Sequence, residues 1–108
     1  MANNPERRGL ERWAVAITAK LSINGIIFDT NILNINLGGC FCEGYFPVQM
    51  GENVIISSIY NSNLNGLTAT VVWVVDEPKL KGVGLKFQIQ DDAVKFSLVQ
   101  WFNSLRKG

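Results

Sequence analysis

The chain contains no histidine. Without an imidazole there is no side chain that ordinarily titrates near neutral pH, no Ser-His or Cys-His nucleophile pair and no histidine metal ligand. Cysteine is scarce as well, with only Cys40 and Cys42. Set two apart on a strand, they point to one face, a spacing that rarely closes a disulfide. With no third cysteine they do not complete a metal site. They read as buried thiols of a reducing compartment. No apolar run is long enough to cross a bilayer as a helix. The opening residues Met1-Ala2-Asn3-Asn4-Pro5-Glu6 lack the apolar stretch of a secretory signal, so a cytoplasmic location is expected. Carboxylates are few and scattered, and Asp29 has no partner at a spacing suited to acid–base chemistry. The glycines spell neither a phosphate loop nor a dinucleotide fingerprint. A net charge of +1 provides no global field to draw a nucleic-acid polymer or an anionic membrane. These absences argue against an enzyme, against a cofactor and against membrane insertion. A binding module is the default.

What is present is a strand-rich sequence of 108 residues, the size of one domain with one core. Residues 1–11 are polar, carry Pro5 and Gly9, and read as a flexible basic arm. The domain proper is expected over 12–108. Trp13, Val15, Ile17 and Ala19 alternate with Ala14, Ala16, Thr18 and Lys20, a strand with one apolar face. A second strand runs from about Gly25 to Leu33, and the segment Asn34–Gly39 reads as a turn. Cys40–Phe46 is a short strand stopped by Pro47, and Asn53–Tyr60 is a β-branched one. Asn61-Ser62-Asn63-Leu64-Asn65-Gly66 signals a hairpin, because Asn and Gly tolerate positive φ. Leu67, Ala69, Val71, Trp73 and Val75 then line one face of a long strand ended by Asp76-Glu77-Pro78. Val83, Leu85, Phe87 and Ile89 alternate with polar residues or glycine in the last strand.

The period then changes to that of a helix starting near residue 91. Asp91 or Asp92 can cap it, and Val94, Leu98, Trp101 or Phe102, and Leu105 recur at helical spacing. Phe96 and Val99 lie off that stripe. Sealing a barrel mouth is their expected role, and contact with a second copy or another protein is the alternative. About six strands joined by turns, followed by one helix, predict a mainly β fold: an antiparallel barrel or sandwich with a C-terminal α-helix.

Binding chemistry concentrates in two places. Arg7, Arg8 and Arg12 crowd the arm. Arginine carries a rigid fork of donors that grips phosphate, pairs with the O6 and N7 of guanine, or stacks on a purine. Downstream, Asn34-Ile35-Asn36-Leu37-Gly38-Gly39 offers amide side chains, and glycines that permit positive φ and close approach of an anion to free backbone N–H groups. A cationic arm facing such a turn suits a ligand containing both phosphate and guanine.

These residues resemble the PilZ domain family, bacterial receptors for cyclic di-GMP. Arg8-Gly9-Leu10-Glu11-Arg12 matches the family's RxxxR motif, with Arg7 as a further arginine before it. The second motif is Asp or Asn, any residue, Ser, two residues and Gly. The chain matches it at Asn34 and Gly39 and departs at Asn36, where the family has Ser. Val71-Val72-Trp73-Val74 and Gly82-Val83-Gly84-Leu85-Lys86-Phe87 resemble the family's late strands, so the likeness covers nearly the whole chain. It implies a six-stranded, split antiparallel β-barrel with a C-terminal helix. It implies that Arg8 and Arg12 hold guanine and phosphate groups of cyclic di-GMP and that Arg7 adds a contact. Asn34 and Asn36 would meet a guanine edge, with Gly38 and Gly39 in the turn. Trp73 is assigned to core packing by its strand pattern, and to a place beside a base by the resemblance. A downstream protein partner is expected. The rival functions are an adaptor of the same fold that binds no nucleotide and a small oligonucleotide-binding barrel. The low net charge and core-patterned aromatics argue against the second rival.

Overall fold

The computed structural model describes residues 13–89 and 91–107. The arm, with Arg7, Arg8 and Arg12, lies outside the described residues. Six strands and one helix follow in order: β1 (Trp13–Ile23), β2 (Ile26–Ile35), β3 (Gly39–Glu43), β4 (Asn53–Ile59), β5 (Leu67–Glu77), β6 (Leu80–Phe87) and α1 (Asp92–Lys107). The strands close into an antiparallel barrel in the order β1-β2-β3-β6-β5-β4. Closure removes the exposed sheet edges that an open meander would present along its full length. The seam is β1 against β4, where Ala19 opposes Ile59 and Ser22 opposes Ile55.

Alternation decides which side chains fill the barrel. Leu21, Ile32, Ile35, Cys40, Cys42, Ile56, Val71, Val83 and Leu85 are all but completely buried. Each such aliphatic side chain contributes about 1.5–3 kcal/mol relative to exposure. The two cysteines point inward from alternate positions of β3 with their sulfurs 3.8 Å apart, and both remain thiols. β1 and β2 are joined by Asn24-Gly25, both at positive φ (52° and 83°). Such a two-residue turn matches the right-handed twist of its strands. The Asn61–Gly66 segment joins β4 to its neighbour β5, with Asn61 and Gly66 at positive φ as expected.

The helix packs one face onto the barrel core. Asp91 is its cap: one carboxylate oxygen accepts a hydrogen bond from the Val94 N–H at 2.9 Å. Leu98, Trp101 and Phe102 join the core, with Val94 and Leu105 packed against it. Phe96 does not seal the mouth. It is 63% exposed, because the three buried side chains already fill the face that meets the strands.

Two β-bulges alter what the sequence reading expected of β2 and β5. β2 continues to Ile35, so Asn34 is a strand residue opposite Ala14 and Phe41 and not part of the turn. A register shift between Ile32 and Asn34 lets Ile32 and Ile35 both face the core, although they are three apart. β5 has a second shift between Val71 and Trp73, which determines what the outer wall carries.

Candidate ligand-binding site

The Asn36–Gly38 turn joins β2 to β3, and it is built by one side chain. The Asn36 carboxamide oxygen accepts hydrogen bonds from the N–H groups of Gly38 at 2.7 Å and Gly39 at 2.9 Å. The Asn36 N–H donates to the Gly39 carbonyl at 2.9 Å. From the neighbouring strand, the Phe87 N–H donates to the Gly38 carbonyl at 2.9 Å. An Asx side chain that organises the next residues in this way stands in for a backbone turn. Asn36 is accordingly 6% exposed. The two N–H groups expected to be free for an anion are therefore engaged within the turn.

The expectation for Gly39 is also corrected. It does not adopt positive φ; it must be glycine because a Cβ there would lie 2.1 Å from the Leu85 carbonyl oxygen. The turn is thus pressed against β6 and fixed to it by the Phe87–Gly38 hydrogen bond.

The outer wall next to this turn can be read from the register. Residues directly opposed in antiparallel strands share a face. Ala14, Asn34, Phe41, Gly84 and Trp73 are successive partners across β1, β2, β3, β6 and β5. Their face is the outer one, since Cys40, Cys42, Val83 and Leu85 alternate with them and fill the core. Asn34 is half-buried on this wall. Phe41 is only 7% exposed although it takes no part in the core. Its ring lies over Gly82, where a Cβ would come within 2.5 Å of the ring. Gly84 plays the same part for Trp73, whose indole nitrogen is 3.0 Å from the corresponding Cβ position. Glycine at both positions leaves a low floor on β6 on which the aromatic rings rest, a cross-strand arrangement that also shields the glycines.

Trp73 is not a core residue. The β5 bulge turns it out of line with Val71, and it stands 49% exposed on the wall. The alternation rule places it inside because the rule assumes a regular strand, and one extra residue reverses the facing of everything beyond it. Lys86, not singled out by sequence reasoning, lies on the same wall directly opposite Gly39 on one side and Thr70 on the other. Knowing the register of β6 is what brings it to the turn.

The structure therefore brings together Asn34, Asn36, Gly38 and Gly39 at the β2–β3 end of the wall. Trp73 lies three strand spacings from Asn34, on the order of 14 Å along the curved sheet. A separate groove of about 350 Å³ between residues 63–68 and α1, lined by residues including Leu64, Gln88, Asp91, Val94 and Ser97, shares none of these residues.

A closed six-stranded antiparallel barrel followed by one C-terminal helix defines the class of fold. The sequence model of the PilZ domain matches residues 6–103, and the chain belongs to the PilZ domain family. No curated protein sequence matches it significantly. Among solved structures, the inhibitor of motility MotI/DgrA of Bacillus subtilis is similar with a TM-score of 0.63 and 18% identity, over 90% of this chain and 50% of that one. YcgR of Escherichia coli, solved in complex with c-di-GMP, is similar with a TM-score of 0.67 and 11% identity, over 90% of this chain and 45% of that one. The chain spans about half the length of each, and at these identities the likeness is one of fold.

Proposed function

We propose that this domain is a receptor for cyclic di-GMP that acts in the bacterial cytoplasm. The observation that carries the reading is the placement of the Asn34–Gly39 motif and the exposed ring of Trp73 on one outer wall of a PilZ-family barrel. The c-di-GMP complex of the similarly folded YcgR supports it. In this reading Arg8 and Arg12 grip phosphate and guanine through bidentate, charge-assisted hydrogen bonds, and Arg7 adds a contact. Asn34 meets a guanine edge from the wall. Asn36 acts by ordering the turn, Gly39 by letting that turn lie against β6, and exposed Gly38 lets the ligand come close to it. Trp73 offers a π face to a base. The ligand draws the arm over the wall, and a downstream protein reads the altered surface. No catalytic step and no cofactor belong to this function.

The test is calorimetric titration of the purified domain with cyclic di-GMP. Saturable heat is expected, and Arg8→Ala should abolish it. An absence of binding at high micromolar ligand would sink the proposal.

A second reading, a protein adaptor that needs no nucleotide, is favoured by exposed Phe96 on α1. A second copy of the chain is one partner such a surface could take. Under that reading, capture of the partner is equally strong with and without cyclic di-GMP, whereas the receptor reading requires a difference.

A further inference from the structure

We infer that Lys86 is a further ligand-contacting residue, a cation that neutralises a phosphate of the bound cyclic dinucleotide from the barrel wall. The inference rests on the reading of this wall as a cyclic di-GMP site. It begins with what the turn does not provide. The Gly38 and Gly39 N–H groups, which would otherwise cradle an anion, both donate to the Asn36 side chain. Charge neutralisation beside the turn therefore falls to a side chain.

Lys86 is placed for that task. It is exposed and faces outward from β6, directly across from Gly39. Its other cross-strand partner is Thr70, and the positions two before and two after it are Gly84 in β6 and Gln88 just past the strand end. None of these carries a charge. Lys20 pairs with Asp29, and Lys81 pairs with Asp76. Lys86 makes no ion pair among the described residues. Thr70 and Gln88 instead bond to one another and to Asn53, so the polar groups beside Lys86 are already engaged. A flexible ammonium with no carboxylate partner among the described residues stands between the turn and the glycine seat of Trp73. It can swing to a phosphate on either side without breaking an existing bond.

The experiment compares wild type, Lys86→Gln, Lys86→Arg and Lys79→Gln by titration with cyclic di-GMP at low and high salt. Lys79 lies in the β5–β6 turn and serves as a charge-matched control. Lys86→Gln should weaken binding about tenfold at low salt, the scale of one hydrogen bond to a charged group. The deficit should shrink at high salt, because the lost interaction is screened there. Lys86→Arg should bind close to wild type, and Lys79→Gln should not differ from it. If wild type binds and Lys86→Gln binds equally well, the inference fails while the receptor reading stands. Equal losses in Lys86→Gln and Lys86→Arg, or in Lys86→Gln and Lys79→Gln, also overturn it. If wild type itself does not bind, the receptor reading falls and the inference falls with it.

Discussion

The indole of Trp73 lies across Gly84 of the adjacent strand, with its ring nitrogen 3.0 Å from where a Cβ would stand. This contact sets the height and tilt of the exposed aromatic on the wall. Trp73→Ala should lower cyclic di-GMP affinity by about 1–3 kcal/mol, the scale of base–aromatic stacking. The half-exposed ring stabilises the fold less than a core residue does, so the melting temperature should fall much less than for a core truncation. Gly84→Ala should also weaken binding, because the added methyl pushes the ring off its seat. A changed near-ultraviolet circular dichroism signal in Gly84→Ala that disappears in a Trp73→Phe background would check the mechanism.

Asn36 holds two backbone N–H groups with one oxygen. Asn36→Ala leaves the buried Gly39 N–H without that acceptor, at a cost of about 1–3 kcal/mol. Asn36→Asp and Asn36→Ser keep an oxygen in reach of the turn and should cost less in stability. Urea denaturation of the three variants, without ligand, measures the order directly.

Gly39 faces the Leu85 carbonyl oxygen at a distance no side chain tolerates. The obstacle is backbone, so Gly39→Ala must part β3 from β6 and loosen the turn. The expected loss is at least about 2 kcal/mol, read as a lower chemical-denaturation midpoint. Gly25, with positive φ but no atom near its Cβ position, should show a smaller cost when changed to Asn, which tolerates that conformation.

Phe96 and Leu98 stand two residues apart on α1 with opposite fates, one exposed and one buried. Phe96→Gln should change stability by no more than about 0.5 kcal/mol, whereas Leu98→Ala should cost about 2–5 kcal/mol by opening a cavity under the helix. Thermal melts of the two variants would separate them, and a large loss in Phe96→Gln would show that the ring packs against something in solution.

Much of the fold was legible along the chain. Two-residue alternation marks the strands, because a barrel wall has one dry face and one wet face. The change to helical period after Asp91 marks α1. The polar turn and its glycine end were legible too, since Asn and Gly are chemically suited to turns. What could not be read was facing beyond a bulge. The shifts at Leu33 and Val72 leave no unambiguous mark in composition, yet each changes which residues meet the core. Asn34 moved from a turn into a strand, and Trp73 moved from the core to the wall.

The sequence by itself determined the class of the domain, its strand pattern, its lack of histidine and the motif residues Arg8, Arg12, Asn34 and Gly39. These follow from residue chemistry and short-range spacing. Only the tertiary structure decided that Asn36 orders the turn, that Gly39 is small because β6 passes against it, and that Trp73 and Lys86 share a wall with the motif. Those relations join residues far apart in the chain, and they depend on cross-strand register, which local pattern does not specify once a strand is bulged.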